Sequence, residues 1–133
     1  MSRQPENTFI ASVHKFLPRE LYRQKNHNQF NGGIADVWYS GDKADLWVEY
    51  KFVVLPKRDL TVVPINLEPL QRAWLTSRHA EGRNVGVIVG CKEGGVWFSG
   101  ITGCGAGLPA SSFRALLNTR KELAELIRTS VSS

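Results

Sequence analysis

The chain has 133 residues, 42% of them hydrophobic and 22% charged, with a formal net charge of +5. Those proportions are ordinary for a soluble globular protein, and at this length one domain buries about two-thirds of its unfolded surface without staples. No run approaches the ~18 apolar residues of a membrane span, and the N-terminal MSRQPENTF lacks a signal peptide's apolar core, so a cytoplasmic protein is expected.

Cys91 and Cys104 show no CxxC or Cys/His spacing that would hold zinc, and two reduced, inert thiols are expected. The excess of positive charge points to a polyanionic partner. Lys15, Arg19, Arg23 and Lys25 cluster, with His14 and His27 among them. A solvated basic surface accounts for that charge as well as a phosphate-binding one does.

In chain order, Pro5 suits the first turn of a helix reaching about residue 16, with Phe9, Ile10, Val13, Phe16 and Leu17 as its apolar stripe. Glu6 falls along the same stripe, an awkward place for a charge unless a cation waits there, although the helix dipole alone favours a carboxylate in a first turn. Residues 21–24 form a short strand. Asn31-Gly32-Gly33 turns the chain into a strand over 34–40, and Ser40-Gly41-Asp42-Lys43 is a hairpin-like turn into a strand over 45–53. Residues 54–66, with Pro56 and Pro64, read as an irregular connection. Asn66 caps a helix over 67–81, with Gly82 as its C′ residue.

Residues 85–89 form a strand buried on both faces, and 96–99 a further strand. The glycines between Gly90 and Gly107 suit tight turns, because no Gly-Lys-Ser/Thr follows to make a phosphate loop. A final helix over 111–129 presents Phe113, Leu116, Leu117, Ala124 and Ile127 to the sheet. His79, like the other two histidines, has no ligand spacing, so all three are expected to be surface or DNA-contacting side chains. Trp38, Trp47, Trp74 and Trp97 are expected to be core anchors rather than base-stacking platforms, since all lie in predicted elements.

The order helix, three strands, helix, strand is α/β. The first three strands make a meander, and the fourth joins by a crossover, which centres the strands bearing Asp36 and Glu49-Tyr50-Lys51. Glu49 and Lys51 alternate and so share a face; an aspartate on the neighbouring strand brings a second carboxylate beside them. Two carboxylates and an ammonium on one face suit a hard divalent cation and phosphate ester chemistry. Taken alone, Glu-x-Lys on a strand is weak, being also an ordinary ion pair. Within LWVEYKFVV, however, it lies on a strand with apolar neighbours on both faces, where charge is costly.

Glu6, Asp36 and Glu49-x-Lys51, in the order αβββαβ, resemble the PD-(D/E)XK nuclease superfamily. GGIAD, the EYK triplet, and PLQRAWL followed by Gly82 and VGVIVG are most similar to the virus-type replication-repair nuclease (VRR-NUC) group. The resemblance covers roughly residues 6–90. Ala35 replaces the family's proline, which is no ligand, and Phe52-Val53-Val54 extends the strand where a glycine or polar residue often follows the lysine.

The resemblance implies a restriction-endonuclease-like α/β core over 5–100 with a C-terminal helix over 111–129, residues 1–133 forming one nuclease domain. It implies that Asp36 and Glu49, with the Tyr50 carbonyl, bind Mg²⁺ or Mn²⁺. Lys51 would activate water, Glu6 would contribute through a water or a second ion, and Gln71 would hold waters or the scissile phosphate. Lys15, Arg19, Arg23, Lys25 and Arg72 are candidate DNA contacts. The implied activity is that of a phage-type, homodimeric endonuclease on branched DNA such as four-way junctions, leaving a 5′-phosphate. The alternatives are a catalytically silent DNA-binding module on the same fold, or an unrelated basic interaction domain.

Overall fold

A computed structural model describes residues 3–26, 33–101 and 107–133. His27, the Asn31-Gly32 part of the turn, and Cys104 lie outside these residues. The elements run α1 (Arg3–His14), β1 (Tyr22–Lys25), β2 (Val37–Ser40), β3 (Asp45–Phe52), β4 (Val62–Val63), α2 (Pro69–Ala80), β5 (Val85–Cys91), β6 (Gly94–Ser99), β7 (Leu108–Pro109), α3 (Ala110–Ala115) and α4 (Arg120–Val131). Five strands make the main sheet in the order β1-β2-β3-β5-β6. The expected meander is present as antiparallel β1/β2 and β2/β3 pairs, and the expected crossover as a parallel β3/β5 pair. β6 returns antiparallel to β5, and β3 therefore lies at the centre of the sheet.

The strand alternation divides the core in two. Val37 and Tyr39 of β2, Leu46, Val48 and Tyr50 of β3, and Ile88 of β5 face Phe9, Ile10 and Val13 of α1 and Leu123 and Ile127 of α4. Val85, Val87 and Val89 of β5 face the other way, onto Leu75 of α2, Phe113 of α3 and Val63 of β4. Phe9 lies so close that a Cβ on Gly90 would come 2.7 Å from its ring, so the glycine sets how tightly α1 seats. Among the described residues, no helix is long and apolar enough to cross a membrane.

Two local signals outweigh the apolar periodicity. The helix expected over 111–129 is broken: α3 stops before Leu116, and Asn118 bridges to Gly95 by paired backbone bonds of 2.8 and 3.0 Å. Thr119 then opens α4 with a capping box, its hydroxyl accepting from Glu122 N–H at 3.0 Å while its own N–H donates to Glu122 Oε1 at 2.7 Å. The Thr-x-x-Glu pattern is a start signal, and here it overrides a stripe that reads as continuous. In the connection expected over 54–66, β4 pairs with β7 as a separate two-stranded sheet.

His14 is not a surface residue. Its Nε2 lies 2.7 Å from the Tyr39 hydroxyl, which lies 2.6 Å from the Tyr50 hydroxyl, so a polar chain runs beneath the central strand. Burial, then the charges of Arg23 and Lys25, lower its pKa from 6.5 to about 4. The neutral ring pairs with the Tyr39 hydroxyl and Tyr39 with the Tyr50 hydroxyl, which satisfies both buried hydroxyls. Between about pH 6.5 and pH 4 the unfolded chain binds a proton that the folded chain refuses, so stability falls as pH falls through that window, by up to about 3 kcal/mol. The urea midpoint is expected to drop between pH 7.5 and about pH 4.5. His14→Gln should shrink that drop, as read by denaturation at both pH values.

Candidate active site

The β2/β3 ladder ends at the Val37–Val48 pair, and the next pair along would be Asp36 with Glu49. There the strands part. The Ala35 carbonyl accepts from Asn26 Nδ2 at 2.9 Å, and the Asp36 carbonyl from Asn26 N–H at 2.7 Å. The Tyr50 N–H is left to the Asp36 side chain, whose Oδ2 accepts it at 2.9 Å. A carboxylate thus replaces a ladder bond, and a gap opens between two central strands.

Neighbouring amides orient the rest. Trp47 and Val53 donate to Asn84 and Gly90 on the β5 side, so the intervening even-numbered residues face β2. The N–H and C=O of one strand residue point the same way, which turns the Tyr50 carbonyl toward the gap that Asp36 lines.

Glu49 is fully buried and Asp36 is 6% exposed, and they are the two buried charged residues of the described chain. Two contacts fall on Glu49 Oε2: Gln71 Nε2 donates to it at 2.8 Å, and Lys51 Nζ stands 3.7 Å away. The Lys51 side chain keeps 17% exposure, enough to meet a ligand arriving from solvent. Gln71 is itself held, because its Oε1 accepts the Glu68 N–H at 3.0 Å at the start of α2. That bond sets the amide so that its NH₂ meets the carboxylate. One side chain therefore caps the helix and clamps the acid. The expected cap, Asn66, is displaced to Glu68, which begins the helix two residues later.

The first turn of α2 also holds the approach to Asp36. Gly33 has φ +101°, and a Cβ there would come 2.4 Å from the Leu70 carbonyl oxygen. The positive end of α2 thus stands beside the gap, although its capping box already uses the Glu68 and Gln71 N–H groups.

The donor set fits a hard divalent cation. Two adjacent buried carboxylates repel each other, and with a carbonyl they supply oxygen ligands, to which Mg²⁺ or Mn²⁺ adds its retained waters. Glu6 is half-buried in the first turn of α1. Among the described residues no three His, Cys, Asp or Glu side chains cluster at metal-holding spacing, so Glu6 does not close a three-carboxylate cluster with Asp36 and Glu49.

The basic candidates separate. Lys15 and Arg19 are exposed, and Lys25 reaches Asn7 Oδ1 at 3.4 Å on the surface. Arg23 is engaged within the fold: its guanidinium donates to the carbonyls of Pro18, Leu21 and His14 and closes the loop after α1. Arg72 is half-buried beside Gln71. Cys91 is buried, with burial pushing its thiol pKa up, as an inert thiol should be.

Asn26 escaped the sequence reading because its partners lie nine and ten residues on, with no periodic pattern to link them. The tryptophans are half-buried, and Trp47 and Trp74 pack against the α2-side core. Trp38 stacks on Trp47 with ring centroids 5.3 Å apart and planes at 8°, between Tyr22 and Trp74. By alternation this row occupies the same sheet face as Asp36 and Glu49.

No family model matches the chain, and no curated protein does. Among solved structures, it is similar to that of Archaeoglobus fulgidus Hjc, a Holliday junction resolvase from an archaeal hyperthermophile, with a TM-score of 0.54 and 15% identity. The match covers 92% of this chain and 97% of that one. The chain accordingly has the restriction-endonuclease-like α/β fold that the resemblance implied.

Because Gly33 combines a positive φ with a backbone close approach, Gly33→Ala is expected to destabilise the protein by at least about 2 kcal/mol. Urea unfolding measures it, and an exposed control such as Gly82→Ala, whose Cβ meets no atom within 4 Å, should cost less.

Proposed function

We propose that the protein is a metal-dependent endodeoxyribonuclease that cuts branched DNA such as four-way junctions. The observation that carries this is the buried Asp36–Glu49 pair where β2 and β3 separate, with Lys51 and Gln71 both on Glu49 Oε2. Likeness of fold to a protein named as a Holliday junction resolvase supports the class of substrate. The motifs GGIAD, EYK and PLQRAWL support the narrower VRR-NUC, phage-type reading.

In this reading Asp36, Glu49 and the Tyr50 carbonyl would hold Mg²⁺ or Mn²⁺. Such an ion, when bound, polarises the phosphate and draws charge from its oxygens. Lys51 Nζ orients the attacking water and offsets the negative charge that grows on the phosphoryl oxygens. The Gln71 amide keeps the Glu49 carboxylate in one orientation, and the N-terminus of α2 faces the phosphate. The water oxygen bonds to phosphorus and gives up a proton to solvent, the bond from phosphorus to the 3′ oxygen breaks, and that oxygen takes up a proton from solvent in return. The products are a 5′-phosphate and a 3′-hydroxyl. Symmetric incision of opposed strands needs two sites, which a homodimer supplies.

Labelled four-way junction, linear duplex and flap, each with Mg²⁺, Mn²⁺ or EDTA, test the reading. Junction cleavage with either ion and none in EDTA is expected. Glu49→Gln and Lys51→Ala should each lower the rate by at least about a hundredfold. Gln71→Ala and Glu6→Gln should cost less, about tenfold, because neither belongs to the buried carboxylate pair. Undiminished cutting by the Glu49 or Lys51 variant refutes the assigned roles, and binding without cutting in either ion identifies a silent module.

A further inference from the structure

The loop that leaves β3 has a composition the chemistry above does not use. Val53 and Leu55 turn inward onto the α2-side core, whereas Val54 is 87% and Leu60 85% exposed, and Val62 is 51% exposed. Single exposed apolar residues are unremarkable on a protein surface. Here three fall within nine residues, beside Lys57 and Arg58, on a loop that is fastened down.

The fastening is specific. Arg114 of α3 donates to the Pro56 carbonyl and pairs with Asp59 Oδ1 at 3.3 Å. The N–H groups of Ser111 and Ala110 donate to the Asp59 and Thr61 carbonyls at 3.0 and 2.8 Å, and Thr61 N–H closes a turn on Arg58 at 3.2 Å. Asp59, itself exposed, pairs with Arg114, so Lys57 and Arg58 carry the loop's unbalanced positive charge. Val54 lies three residues after Lys51, within about 11 Å of it along the chain. A tethered, cationic segment with exposed apolar side chains therefore follows the strand that carries Glu49 and Lys51.

We infer that residues 54–62 form a rigid prong whose Leu60 and Val54 side chains enter the branch point of DNA held at the site, while Lys57 and Arg58 grip the flanking phosphates. This rests on the nuclease reading. Apolar wedges flanked by cations open base steps in DNA, and a branch point, where stacking is already interrupted, is the least costly place to insert one. A second copy of the chain is the poorer occupant. A two-fold contact through this loop would gather two copies of Lys57 and Arg58 into one interface, and like charges so gathered oppose association.

The test uses the full chain in EDTA, so that nothing is cut. Its probes are a four-way junction carrying 2-aminopurine at the branch and a linear duplex of the same arm sequence. The wild type is expected to bind the junction more tightly and to raise its fluorescence. The Val54→Ser/Leu60→Ser double variant should keep its thermal midpoint and duplex affinity, lose about tenfold in junction affinity, and lose the fluorescence rise. Lys57→Ala with Arg58→Ala should weaken binding to both DNAs and flatten the salt dependence. A serine variant that binds and unstacks the junction as the wild type does overturns the inference. So does a halved mass in light scattering on the same substitution, which would make the loop a surface between copies. A wild type with no preference for the junction also overturns it, while Mg²⁺-dependent cutting of any DNA would keep the nuclease itself standing.

Discussion

The bond from the Tyr50 N–H to Asp36 Oδ2 governs the geometry of everything near the site. In an unbroken antiparallel ladder that amide would meet a backbone carbonyl, and β2 would continue beside β3. The Asn26 side chain instead draws off the Ala35 carbonyl, while its N–H extends the β1/β2 ladder to the Asp36 carbonyl, and the aspartate side chain takes the orphaned donor. The substitution satisfies the backbone and at the same time anchors a carboxylate in the sheet interior, where an unsupported one would be expensive. The gap, the buried acid pair and the direction of the Tyr50 carbonyl all follow from it.

Support for the second acid comes from elsewhere in the chain. Glu49 relies on an amide from α2 and an ammonium two residues along its own strand. Gln71 is tied to the helix start through Glu68, so the carboxylate is positioned by a secondary-structure terminus rather than by a free side chain. The opposite face of the same strand carries the Tyr50–Tyr39–His14 chain, which fixes β3 from beneath. The central strand is thereby held on both faces by polar contacts as well as by packing.

Much of this was legible in the sequence because it is periodic. Alternation placed Glu49 and Lys51 on one face, and glycine and proline punctuation placed the turns, so the meander and the crossover followed. What was not legible was long-range or non-periodic. Asn26 gives no pattern that announces its hold on Ala35 and Asp36. Arg23 read as a free cation because nothing in the composition shows that three carbonyls converge on it. His14 read as a surface residue because its partner lies twenty-five positions away. The break before α4 was different: Thr119 and Glu122 spelled a start signal, and the apolar stripe around them was given more weight than it carries.

The parallel β3/β5 pairing has a bearing on how the molecule assembles. β2 and β3 are joined by a short connection and meet early, whereas β5 arrives only after α2 has crossed over. The acid pair is thus built from β2 and β3 alone, whereas the Gln71 amide reaches Glu49 Oε2 only through the crossover that seats α2 on the sheet. Completion of the site depends on the long-range part of the fold, the part that is slowest to assemble in general.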